Sequence, residues 1–133
     1  MDWTLEVVVV PVSDLDRAKA FYADQVGFGV DLDHRISDDV RIIQLTPPGS
    51  ACSISLTSGM HSMTPGSLQG LQLCVPDIEA AHAQLAQRGV PVGEIVHFEG
   101  AEEVPGKGGR WNSFVFFADP DGNAWAVQEK PAE

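Results

Sequence analysis

The chain opens on a short polar lead and then turns apolar: Leu5 to Val12 is rich in β-branched residues and ends at Ser13-Asp14. That pattern predicts a strand covered on both faces. The spacing then changes to that of a helix. Leu15, Ala18, Phe21, Tyr22 and Val26 fall on one stripe, and Ser13-x-x-Asp16 reads as an N-cap with an acid in the first turn, where it suits the helix dipole. Gly27 supplies the left-handed residue that closes a helix C-terminus. Three further strands are expected over 30–36, 40–46 and 52–57, with Pro47-Pro48-Gly49 as the turn between the last two.

The same order then recurs. Val12-Ser13-Asp14-Leu15-Asp16-Arg17-Ala18 reappears as Val75-Pro76-Asp77-Ile78-Glu79-Ala80-Ala81, which points to an internal duplication. The second copy predicts a strand over 71–75, then a helix over 77–88 with Ile78, Ala81 and Leu85 inward and Gly89 at its end. Strands over 92–98, 112–118 and 123–128 follow, the last two joined by Asp119-Pro120-Asp121-Gly122. The fold class is therefore α+β, built from two βαβββ repeats, one over 3–58 and one over 70–130, with a linker over 59–69 inside a single domain of 133 residues. One such unit buries too little surface to stand firmly alone. Pairing two units would curl their sheets into a cup, whose concave side is the natural ligand site. Pairing could also occur between chains, so a homodimer is the expected state.

Charge narrows the partners. Eight basic residues stand against nineteen acidic ones, a net charge of −11, and no basic cluster interrupts that balance. Nucleic acid and anionic membrane both require a positive footprint, and neither is expected as a partner. No apolar run approaches the ~20 residues that span a bilayer, and the acidic N-terminus is unlike a secretory signal. The expected location is cytoplasmic, with Cys52 and Cys74 reduced and buried.

The sequence resembles the vicinal oxygen chelate superfamily, the group of glyoxalases, bleomycin resistance proteins and ring-cleaving dioxygenases. The resemblance is carried by Val12-Ser13-Asp14-Leu15-Asp16-Arg17-Ala18-x-x-Phe21-Tyr22, by Gly27-Phe28, and by the turn Asp119-Pro120-Asp121-Gly122-Asn123, and it covers nearly the whole chain. It implies the glyoxalase/bleomycin resistance fold and, in the enzymes of the group, a divalent cation held by His, Glu or Gln from both repeats. Carried onto this chain, the ligand positions fall on Val7, Gly70, Ala126 and either Ser55 or Ser53. These residues offer an isopropyl group, a hydrogen, a methyl and a hydroxyl, whereas transition-metal sites use three or four imidazole, thiolate or carboxylate donors. No metal and no cofactor are expected. His34 and His97 are sixty-three positions apart and so near-equivalent in the two repeats. They are read as strand histidines near the rim, with ligand contact, or a metal site completed by Glu102 or Glu103, as alternatives.

Strand alternation from Val7 and Ala126 predicts a lining that includes Val9, Ser53, Ser55, Gln72, Ala124 and Gln128. Turns of four residues in the proline hairpins would add Ile42, Gln44, Val115 and Phe117. The expected ligand-binding residues are Gln44, Ser53, Ser55, Gln72, Phe117, Gln128 and Trp111, the last in a mobile-looking glycine-rich loop over 97–112 that would flank the mouth. No catalytic residue can be named, because neither serine has a sequence-evident His–acid pair. Such a surface suits a small hydrophobic or aromatic compound. The expectation is a metal-free protein that sequesters a drug or natural product, in the manner of bleomycin resistance proteins. Alternatives are a glyoxalase-like lyase or isomerase using an unconventional metal or a carboxylate base such as Glu102, and an accessory domain whose cup is filled by its own side chains.

Overall fold

A computed structural model describes residues 1–58 and 61–132; Gly59 and Met60 of the expected linker lie outside the described residues. The chain divides into two compact units: Met1–Leu68 with Asp119–Asn123, and Gln69–Ala118 with Ala124–Glu133.

The first unit is a four-stranded mixed sheet with one helix. Strand β1 (Val7–Val9) leads to α1 (Leu15–Ala20), which widens into a π-helical turn over Phe21–Val26; β2 (Gly29–Arg35), β3 (Arg41–Thr46) and β4 (Ser53–Ser58) follow. The sheet order is β1-β4-β3-β2, with β1 parallel to β4 and the other pairs antiparallel. Ile43, Leu45, Ile54 and Leu56 alternate onto one face and are buried, together with Ala18, Phe21, Tyr22 and Phe28 of the helical segment and its exit. Hydrophobic burial of this face against α1 is the main stabilising term of the unit. Strand β1 is shorter than the apolar run predicts, and Val7 remains exposed.

The helix starts one residue later than expected. Asp14, in extended conformation, caps it by accepting from the Arg17 amide at 3.0 Å. Ser13 is released for another task. Its hydroxyl donates to Asp121 Oδ1 at 2.6 Å and its amide to Asp121 Oδ2 at 3.1 Å. Gly27, at φ 96°, ends the helical segment, and its N–H reaches back five residues to the Tyr22 carbonyl.

The turn that carries the strongest family resemblance is a buried polar knot. Asp119 Oδ1 accepts from the amides of Asp121, Gly122 and Asn123, while Oδ2 accepts from the Tyr22 hydroxyl and from Asn123 Nδ2, both at 2.7 Å. Asn123 Nδ2 also donates to the Pro11 carbonyl at 2.8 Å, and its Oδ1 accepts from the Leu68 amide at 3.1 Å. Every polar atom of these two buried side chains therefore has a partner. Gly66 completes the knot, because a Cβ there would stand 2.0 Å from the Asp121 carbonyl oxygen.

In the second unit β5 (Leu71–Val75) leads to α2 (Ile78–Gln87), followed by β6 (Val96–Glu99), β7 (Glu102–Pro105), β8 (Phe114–Ala118) and β9 (Ala124–Glu129). The sheet order is β5-β9-β8-β6-β7, with β5 parallel to β9. Asp77, the repeat equivalent of Asp14, caps α2, so this helix too starts one residue later than expected. Ile78, Leu85, Val115, Phe117, Trp125 and Val127 are buried, and the Phe117 and Trp125 rings stack at 5.9 Å. Strand β7 is an addition to the expected βαβββ order. It arises because part of the supposed loop over 97–112 folds back on β6 as a hairpin.

Candidate functional site

Each sheet has one face turned toward its helix and one turned away, and the expected binding residues are sorted by that parity. On β4 of the first unit, Ser53, Ser55 and Thr57 share the face opposite the Ile54–Leu56 core. Val7 and Val9 stand beside Ser53 and Ser55 across the parallel β1 pairing. Gln44 pairs with Ser55, and Ile42 with Thr57. The structure thus brings Gln44, Ser53 and Ser55 onto one surface. It is a stripe of hydroxyls and one amide, extended by the hydrogen bond between the Thr46 and Ser53 hydroxyls at 2.6 Å.

In the second unit Gln72 pairs with Ala126 and Cys74 with Gln128 across the parallel ladder. Phe116 lies on the far side of Ala126, and Phe114 on the far side of Gln128. The away face therefore carries Gln72, Gln128, Phe114 and Phe116, with Phe98 joining from β6. Phe98 meets Phe114 edge-to-face at 5.5 Å, and Phe114 stacks over Phe116 at 6.1 Å. Phe116 is 38% exposed. Three interlocked rings beside two amides form an aromatic platform.

Phe117 is not on this platform. It alternates to the helix-ward face, where it is buried on Trp125. The reason is the length of the connection: Ala118 pairs with Ala124, so the turn holds the odd number of residues that the Asp119 knot requires. An odd turn moves every β8 side chain to the other face relative to a turn of four. Val115 moves with Phe117, and Phe98, Phe114 and Phe116, which the alternation argument left out, take their place. The signal lay in Asp119 and Asn123 bracketing the turn as a bonded pair.

Trp111 stands just before β8, 49% exposed and with φ 61°. The surrounding loop is pinned rather than loose. Asn112 exchanges both side-chain hydrogen bonds with the Phe98 backbone, at 2.9 and 2.8 Å. Gly108 fits because it lacks a Cβ, which would lie 2.7 Å from that of His97. Cys74 also departs from expectation: it is exposed, Cys52 is part-buried, and both are free thiols.

The histidines do not make a symmetric pair. His34 is exposed and pairs with Ile42 on the away face of its sheet. His97 is the neighbour of Val96, which pairs with Phe114, so it points the opposite way. Its Nδ1 lies 2.8 Å from the Gly106 carbonyl and its Nε2 3.1 Å from Glu99 Oε2. Both partners are acceptors. The Gly106 carbonyl first, and Glu99 second, raise the His97 pKa above its ordinary 6.5. Glu102 pairs with Glu99 at the hairpin, and Glu103 with Phe98. Among the described residues no three His, Cys, Asp or Glu side chains converge as a metal site. The ladder registers match Val9 with Ser55 and Gln72 with Ala126, which selects Ser55 over Ser53 as the repeat equivalent of Ala126. With Val7, Gly70, Ser55 and Ala126 at the positions where the resemblance puts metal ligands, the donors do not fit a divalent cation. No helix among the described residues is long and apolar enough to cross a membrane.

Comparison with known proteins places this architecture. TnmS3, an antibiotic binding protein from Streptomyces sp. CB03234, is 33% identical and superposes with a TM-score of 0.77 over 97% of both chains. A glyoxalase/bleomycin resistance protein from the same strain is 34% identical, with a TM-score of 0.73 over 94% of this chain and 99% of that one. The uncharacterized protein YetH of Bacillus subtilis (strain 168) is 28% identical across 92% of this chain and 94% of its own. The duplicated strand–helix order and the Asp119–Asn123 knot sit within residues 4–127, which match the Glyoxalase/Bleomycin resistance protein/Dioxygenase superfamily model, and the chain belongs to that superfamily.

Proposed function

We propose that this protein binds and sequesters a hydrophobic or aromatic small molecule, a drug or natural product, without transforming it. The observation that carries the reading is the ring cluster of Phe98, Phe114 and Phe116 on the away face of the second sheet, with an exposed Phe116 and flanking amides. Exposed interlocked rings are costly in water unless something covers them. A flat apolar ligand would recover that cost by stacking, and the amides would orient it. The likeness to an antibiotic binding protein supports the same reading. A homodimer in the cytoplasm is part of the proposal, supported by the exposed Met1, Trp3 and Leu5 in the segment that leads into the edge strand β1 and by two free thiols.

Fluorescence titration against flat aromatic antibiotics tests it. Saturable quenching with the compound recovered unchanged is expected, and Phe116→Ala should raise the Kd. Turnover of a bound compound, or no saturable binding across the panel, would defeat the proposal.

A further inference from the structure

A bulky side chain seldom takes φ near 61°, so Trp111 must be held there. Its carbonyl oxygen accepts from Gln128 Nε2 at 2.7 Å, and Gln128 Oε1 accepts in turn from Gln72 Nε2. The direction of this chain follows from its end. A backbone carbonyl can only accept, so Gln128 must offer it nitrogen, and the Gln128 oxygen must then face Gln72. Gln72 is obliged to turn its own nitrogen inward. The Cys74 thiol, 3.8 Å from Gln128 Oε1, agrees with that assignment. What remains is the Gln72 carbonyl oxygen, which has no hydrogen-bond partner among the described residues, on an exposed side chain.

Gln72, Ala126 and Phe116 form one cross-strand row. Across the small Ala126 the backbones at Gln72 and Phe116 are about 9.5 Å apart, two strand spacings. A fused-ring molecule lying on Phe116 across Ala126 reaches Gln72 with its far edge. We propose that Gln72, Gln128 and Trp111 form a preset hydrogen-bond chain that holds Trp111 in place and makes the aromatic platform selective for ligands bearing an O–H or N–H donor. Gln128 is then a positioning residue, both ends of its amide being spent within the protein, and Gln72 is the group that touches ligand. This rests on the binding function proposed above and adds the ligand's donor group to it.

Equilibrium dialysis of the whole protein with 2-naphthol and with 2-methoxynaphthalene tests the selectivity. One hydrogen bond corresponds to roughly fivefold tighter binding of the naphthol. Gln72→Leu should erase that preference while retaining the ether. Gln128→Leu should weaken the preference. It should also, with no ligand present, raise acrylamide quenching of Trp111 in a Trp3→Phe background, where Trp111 is the exposed indole and Trp125 is buried. Equal affinities for the two naphthalenes, or a preference that survives Gln72→Leu, would overturn the selectivity. Unchanged quenching in Gln128→Leu would overturn the chain itself. Binding of neither compound would remove the donor assignment together with the binding function, while the ligand-free quenching still decides whether Gln128 sets Trp111.

Discussion

Asn123 is the residue on which the family turn depends, and its removal should cost far more than its polar character suggests. In Asn123→Ala three hydrogen bonds disappear at a fully buried site: those to the Pro11 carbonyl and Asp119 Oδ2, and the one from the Leu68 amide. Asp119 keeps the Tyr22 hydroxyl at Oδ2, so its carboxylate is not abandoned. The Pro11 carbonyl keeps the Gly66 amide at 3.0 Å, and the Leu68 amide is left alone. A buried group left without a partner costs ~1–3 kcal/mol, and a bond to a charged acceptor contributes ~1.5–3 kcal/mol. Allowing for relaxation, the total is about 4 kcal/mol. Urea denaturation followed by far-UV circular dichroism should show the midpoint falling by about 2 M at an unchanged slope, for a slope near 2 kcal/mol/M. Tyr22→Phe, which deletes one charge-assisted bond, should cost about 2 kcal/mol. A loss below about 1 kcal/mol in Asn123→Ala would refute the reasoning, since the buried groups would then have found other partners.

Adjacent residues of β8 should behave oppositely. Phe117→Ala, buried on Trp125, should destabilise by ~3–5 kcal/mol and leave ligand affinity unchanged at temperatures where the protein is folded, whereas Phe116→Ala should weaken binding with about 1 kcal/mol of stability loss; calorimetry and titration separate the two. The side-chain hydrogen bonds of Arg41, then Lys19, hold Asp33 well below the usual carboxylate range. Its folded pKa being depressed, the stabilisation is present above the unfolded value of 3.8 and is lost as pH falls below it. Acid denaturation of Asp33→Asn should therefore lack about 1 kcal/mol of the wild-type pH dependence, a modest figure because the cluster is partly solvated. His97 is shifted the other way, so its bonds to Gly106 and Glu99 hold below pH 6.5 and weaken as pH rises through the raised folded value. An NMR titration should place His97 above 6.5, lower in Glu99→Gln, and a value at or below 6.5 in the wild type would contradict the geometry.

Local signals carried the reading of the fold a long way. The α2 stripe and the strand over Leu71–Val75 were both legible because each depends on near neighbours in sequence. The facing of β3 was also legible, since the Pro47–Cys52 connection is even and puts Gln44 beside Ser55. The facing of β8 was not. It turns on whether Asn123 belongs to the strand or to the turn, and that is settled by its bonds to Pro11 and Leu68, far away in the chain. The same distance effect hid the role of Ser13, whose hydroxyl donates to Asp121 and accepts from the Arg17 side chain and does not cap its own helix. The hairpin of β6 and β7 was missed for another reason. Glycines over 97–112 suggest freedom, yet Gly108 is there for the close approach of His97.

The first unit borrows Asp119–Asn123 from near the end of the chain. During synthesis, a nascent chain that has emerged only as far as Leu68 lacks the Asp119 carboxylate that accepts from the Tyr22 hydroxyl and the Asn123 side chain that bonds Pro11 and Leu68. The N-terminal unit stays incomplete until that turn has been made. Both halves must be acquired together, and this non-local closure favours slow, all-or-none folding.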